Sequence, residues 1–188
     1  MRISFVWISA LLLGLVCGCV RESEFPSVTS RAHIPTGLLR KFDEAPLQLL
    51  AADGTNHVYR FVCNRTFHDS FCIVVRINSD GTGVLTKKML GRRGGSDRVE
   101  IKEQGEVSLT ARQVESLLTL LQQEQFWSIA TDQPESEVGH DGSNWFVEGV
   151  RTNHYYIATR WTPKADVPVG RIGRHMIALA EWKIEDLY

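Results

Sequence analysis

A surplus of one charge sign is absent from this 188-residue sequence: 21 Lys and Arg stand against 22 Asp and Glu, for a formal net charge of -1. Without a basic surplus, the chain lacks the electrostatic footprint of a nucleic-acid protein. The same balance argues against charge-driven docking on anionic lipid as its main mode of attachment. Metal-ligand spacing is absent too. The six histidines stand apart at 33, 57, 68, 140, 154 and 175, with no H-E-x-x-H and no close pair for a helix face. There is no G-x-S-x-G elbow to expose a nucleophile. The glycine-rich run at 91–96 (GRRGGS) lacks the G-x-x-x-x-G-K-[ST] phosphate loop and reads as a mobile connection. Repeats and low-complexity tracts are missing, and no cofactor is implied. Cysteine is scarce, with four in all, two of them near the N-terminus.

What is present is ordinary globular material, 43% apolar and 23% charged, long enough for one domain with a real core. The N-terminus departs from this. Arg2 is followed by an uncharged run over residues 3–20, with a dense block at Ala10, Leu11, Leu12, Leu13, Leu15 and Val16. A positive end, a short apolar core and small residues are the order of a secretory signal. The run just reaches the length of a membrane-spanning helix, but Ser4, Ser9, Gly14 and Gly18 weaken that reading. Val16-Cys17-Gly18-Cys19 resembles a bacterial lipobox, with Gly18 before Cys19. The resemblance implies a lipoprotein signal peptide over 1–18 and lipidation of Cys19, which becomes the new N-terminus and anchors the chain in the membrane. An uncleaved anchor and plain secretion are the alternatives. Several acyl chains hold durably, since each buried CH₂ contributes roughly 0.8 kcal/mol. Val20 stands where an aspartate favours inner-membrane retention, so the resemblance implies the outer membrane, with the protein facing the periplasm.

Residues 19–45 mix Pro, Ser, Thr and charge without sustained periodicity, and Pro26 and Pro35 discourage regular structure. They read as the lipidated end and a flexible tether, although Leu38, Leu39 and Phe42 are apolar enough to dock. Residues 46–188 then read as a single α+β domain. Strands are expected at 58–67, rich in aromatic and β-branched residues, and at 71–77. A turn at 78–81 with Gly81 left-handed leads to a returning strand at 83–90, so that Val75 faces Leu85. A fourth strand lies within 98–109. Thr110 and Gln113 match a capping box, and Val114, Leu117, Leu118 and Leu121 follow at helical spacing, predicting a helix over 111–125. A second hairpin pairs 145–150 with 154–161 through a three-residue loop that puts Asn153 left-handed. That register places Trp145, Val147, Tyr155, Ile157 and Trp161 on one face. Glu148, His154, Tyr156 and Arg160 take the other, with Glu148 opposite Tyr156. A last helix spans 169–183, with Ile172, Met176 and Leu179 inward. Strands precede helices with no βαβ alternation, so the class is α+β: an antiparallel β-sheet of hairpins, wet on one side, with two α-helices packed on one face.

Cys63 and Cys72 fall on neighbouring strands. A two-residue turn at Phe67-His68 sets them opposite each other, with α-carbons about 4.5 Å apart, inside disulfide range. Export favours oxidation, so the pair reads as a disulfide, two buried thiols being the alternative. Cys-x₈-Cys fits no zinc pattern. The segment 139–143 (GHDGS) holds a base, an acid and a hydroxyl, but sequence neighbours rarely converge as a triad, and a turn explains it. The same holds for His68-Asp69-Ser70 at a hairpin tip. Trp145, Tyr155 and Trp161 read as core; Tyr156 and Phe146 on the opposite face suit stacking on a sugar or a protein.

The body resembles small proteobacterial envelope lipoproteins in Tyr59-Arg60-Phe61, Arg65-Thr66-Phe67-His68, Asp80-Gly81-Thr82-Gly83, Leu109-Thr110 and Asp141-Gly142-Ser143-Asn144-Trp145 with Glu148-Gly149. The resemblance implies a compartment and a fold, and transfers no functional residues. The expectation is a cell-envelope lipoprotein acting as a non-enzymatic binding or structural module toward an envelope partner, with His140, Asp141, Glu148 and Tyr156 as candidate binding residues. Two alternatives stand beside it: a hydrolase using His140, Asp141 and Glu148, and an inhibitor or immunity-type protein.

Overall fold

The computed structural model describes residues 33–52, 54, 56–92, 99–132, 141–184 and 186–187. Cys19 and the leader, His140, and most of the predicted connection at 91–96 lie outside them. The elements run α1 (Thr36–Lys41), α2 (Gln48–Ala51), β1 (His57–Arg65), β2 (Phe71–Ile77), β3 (Gly83–Arg92), β4 (Val99–Leu109), α3 (Ala111–Gln123), β5 (Ser143–Arg151), β6 (His154–Trp161) and α4 (Pro168–Leu179). A 3-10 turn at Phe126–Ser128 follows α3. The six strands form a single antiparallel sheet in the order β4-β3-β2-β1-β5-β6. This is the α+β class expected from the order of the elements.

The meander β1 to β4 follows from short polar turns between apolar runs. In the β2–β3 turn, Gly81 sits at φ 84, the Asn78 N–H donates to the Thr82 carbonyl at 2.8 Å, and Val75 faces Leu85. After α3 the chain returns to pair β5 with the free edge of β1. β1 is thereby central, and its side chains alternate between two covered faces. Tyr59, Phe61 and Cys63 enter one core; Val58, Arg60 and Val62 enter the other.

Helices α3 and α4 cover the first face. Thr110 caps α3 as the sequence predicts: its Oγ1 accepts from the Gln113 N–H, and Gln113 Oε1 accepts from the Thr110 N–H at 2.9 Å. Val114, Leu117 and Leu121 point inward. Pro168 opens α4, where its fixed φ suits the first turn and its missing N–H is not needed. Gly173 lets α4 approach closely, because a Cβ there would lie 2.7 Å from the Trp145 ring and 2.8 Å from the Phe61 ring.

Over β2, β1 and β5 the second face is not wet, although it stays exposed along β4. Residues 34–51 lie across it, burying Ile34, Leu39, Phe42 and Leu47 against Val58, Val62, Val74, Leu90, Phe146, Val150 and Ile157. The expected tether over 19–45 therefore ends early, and the domain includes residues at least from 34 on. The apolar positions 34, 39, 42 and 47 are split between α1, a left-handed turn at Asp43 and the single turn of α2, so they follow no one period.

Two registers differ from expectation by one residue, and each slip moves every side chain to the other face. In β1–β2, Cys63 faces Phe71 and Cys72 faces Val62. The connection is wider than a two-residue turn. Arg65 Nε donates to the Asp69 carbonyl at 2.8 Å, and Ser70 Oγ accepts the Arg65 N–H and donates to Asn64. The two thiols point into opposite cores and are not bonded, which corrects the expected Cys63–Cys72 disulfide. Burial pushes Cys63 up to about 12 and raises Cys72 as well. In β5–β6, Arg151 pairs with His154 across a two-residue turn, and Thr152 rather than Asn153 takes the left-handed φ of 55. Glu148 thus lies opposite Ile157, and Tyr155 shares its face while Tyr156 takes the helix side. Both faces are buried, so alternation in β6 carried little information about which side was which.

Candidate functional site

Among the described residues, those nominated from the sequence do not converge. Asp141 is exposed at the entry to β5. Glu148 lies five residues beyond Ser143, about 16 Å along the strand, and is only 1% exposed beneath residues 34–51. Ser143 is not poised as a nucleophile: it is fully buried, and its hydroxyl accepts from Trp145 Nε1 at 2.8 Å. Tyr156 does not meet Glu148; its hydroxyl donates to the Ile129 carbonyl on the helix side. The partner of Glu148 is Tyr155, whose Oη donates to Oε2 at 2.8 Å.

Glu148 belongs instead to an interior ion network. Directly across from it on β1 stands Arg60, fully buried. Arg60 Nε donates to Glu148 Oε1 at 2.5 Å; Nη2 lies equally close to that oxygen but without a hydrogen-bond angle. Nη1 donates to the Ala45 carbonyl at 2.9 Å and reaches Glu44 at 3.3 Å. Lys88, from β3, holds the other Glu44 oxygen at 2.7 Å and donates to the carbonyls of Phe42 and Asp43. Two sheet cations thus clamp one carboxylate and three carbonyls of the overlying segment. Burial raises the Glu148 carboxyl above its ordinary value, with the Arg60 charge working in the opposite direction. A carboxylate engaged on both oxygens in the interior fixes the fold and offers nothing to a substrate.

A different set of residues lines an open cleft of about 620 Å³ at the end of the sheet where β1 begins and β5 ends. The size is that of a small-molecule site. His57 and Arg151 are cross-strand partners on the helix-side face, with Tyr59 two residues further along β1. Gly149, opposite Tyr59, has no side chain, and a Cβ there would lie 2.8 Å from the Tyr59 ring. That space admits the Tyr59 and Phe126 rings, edge to face with centroids 6.1 Å apart. Gln125, left-handed at φ 51, turns the chain out of α3 so that Phe126 is buried and Trp127 forms a wall. Leu118, Leu121, Gln122, Gln125 and Ser128 complete the lining.

The polar groups of the cleft lie close together. His57 Nε2 and Tyr59 Oη share a hydrogen bond of 3.0 Å. Burial, and then the Arg151 charge, lower the His57 pKa, so the ring is neutral at neutral pH. Burial pushes Tyr59 up to about 12, and its hydroxyl keeps its proton. The Arg151 guanidinium lies over Trp127, 5.4 Å from the ring centroid, a cation–π arrangement. Sequence reasoning missed this site because its members come from β1, the turn after α3 and β5. No motif links them; the only local signal was the Phe126-Trp127 pair just past a predicted helix end.

No family model matches the chain, and no curated protein is similar to it.

Proposed function

We propose that the protein is a lipid-anchored binding module of the bacterial cell envelope, held through Cys19 at the outer membrane and facing the periplasm, with the cleft at His57, Tyr59, Trp127 and Arg151 as its ligand site. The cleft carries the binding half of this reading. It joins apolar walls to a few convergent polar groups, the composition of a ligand pocket. The leader and its lipobox support the anchoring half. An envelope protein that presents or receives the ligand is the expected partner.

Both halves are testable in one preparation. Cys19→Ser should accumulate precursor and shift the protein out of the membrane pellet; processing and pelleting as in the wild type would refute the anchor. Native mass spectrometry of the wild-type protein extracted from envelope membranes should show an adduct that Trp127→Ala lacks. Identical spectra for the two would refute the cleft as the ligand site.

A further inference from the structure

Among the described residues that line the cleft, Arg151 is the one ionised side chain, and none of those residues is Asp or Glu. Arg151 is exposed, rests on the Trp127 ring, and has no hydrogen-bond or ion-pair partner among the described residues. Most other well-placed basic groups of the domain are engaged: Arg60 with Glu148 and Glu44, Lys88 with Glu44, Lys102 with Asp69, and Arg171 with Glu124. An arginine left unpaired beside an aromatic wall presents a planar fork of N–H donors that matches a carboxylate in two-point contact. Stacking on Trp127 orients that fork without neutralising it. Next to it, the half-buried Trp127 ring and Leu118 offer apolar surface, with Tyr59 and Phe126 buried behind them. His57 and the amides of Gln122 and Gln125 are neutral groups able to donate or accept at the rim.

We propose that the cleft selects an aromatic carboxylate: a ring seated against Trp127, with its carboxylate on Arg151. This rests on the reading of the cleft as the ligand site and names the ligand class. A cationic ligand meets Arg151 with no acidic group among the described lining residues to compensate it, and a neutral one leaves the guanidinium fork unused.

The test uses the full chain in detergent with three probes of one shape: 3-phenylpropionate, 3-phenylpropan-1-ol and 3-phenylpropylamine. Binding is read from the ¹⁵N–¹H indole resonance of Trp127, assigned through Trp127→Phe. Arg151→Gln in the same detergent controls for partitioning into micelles, and its unchanged urea midpoint shows that it folds. The expected result is saturable binding of the propionate, at least about tenfold tighter than the alcohol and the amine, and lost in Arg151→Gln. If the alcohol or the amine binds the same site as well as the acid, or if Arg151→Gln binds the acid normally, the carboxylate assignment is overturned while the cleft stands as a ligand site. If no probe moves the Trp127 resonance, both the assignment and the cleft reading are overturned.

Discussion

Arg60 and Glu148 face each other on β1 and β5 in the interior, so removing either charge alone should be costly, and the two costs should differ in kind. Breaking a buried pair typically costs about 3–5 kcal/mol, while replacing both partners by apolar groups of similar volume is often near neutral. Arg60→Met leaves Glu148 with the Tyr155 hydroxyl and without its cation. Burial already raises that carboxyl, and losing Arg60 raises it further above its unfolded value. The folded state then binds a proton more tightly than the unfolded state. The variant is therefore least impaired at pH values below the unfolded carboxyl pKa. It loses stability as pH rises from there to the folded pKa, by about 1.4 kcal/mol per pH unit. Glu148→Leu instead strands a guanidinium that cannot shed its proton and removes the Glu148 titration, so its own stability should lack the fall with rising pH that Arg60→Met shows. Arg60→Met/Glu148→Leu should recover much of the loss, retaining about 2 kcal/mol for the Ala45 carbonyl, which loses its donor, and the Tyr155 hydroxyl, which loses its acceptor. Urea unfolding followed by tryptophan fluorescence reads this directly, since Trp145 is fully buried. With a slope of about 2 kcal/mol/M, the single variants should lower the midpoint by about 1.5–2.5 M at neutral pH. Single losses below about 1 kcal/mol, or an Arg60→Met cost that does not grow with pH, would refute the assignment of these two residues as a coupled interior pair.

Cys63 and Cys72 should both be alkylated in denaturant without any reductant, and both should resist thiol reagents in the native state, because burial raises each thiol; peptide mapping that finds them labelled only after reduction would restore the disulfide. Gly173→Ala should lower the melting temperature. The gain in helix propensity, about 1 kcal/mol, is outweighed by forcing a methyl group against the Trp145 and Phe61 rings, for a net loss of about 1–2 kcal/mol. His57 and His175 both have pKa values lowered by burial, so the unfolded chain binds protons more readily than the fold does. Stability should be at its full value above the unfolded histidine pKa and fall as pH drops through and below about 6.5. His57→Gln should flatten that fall in a series of urea midpoints.

Much of the fold was legible where local signals agreed. The capping box at Thr110 and the stripe at Val114, Leu117 and Leu121 specify α3 by themselves, and Gly81 specifies its turn. The site was less legible. Glu148 and Tyr156 were nominated from a hairpin register that rests on one residue of turn length, and Thr152 took the left-handed position that favours Asn153. The cysteine pairing failed by the same one-residue step. The cleft had no signature because His57, Trp127 and Arg151 meet only after β5 has returned to the edge of β1.

The sequence by itself determined the strands and the two long helices, because capping, periodicity and turn chemistry act over a few residues and need no partner. It also supplied the apolar N-terminal run and the near-zero net charge. Only the tertiary structure decided that residues 34–51 cover the second face, that Arg60 and Glu148 meet in the interior, and that Arg151 lies over Trp127 with no ion-pair partner among the described residues. Those outcomes depend on which faces meet, and a strand buried on both sides does not record that in its alternation.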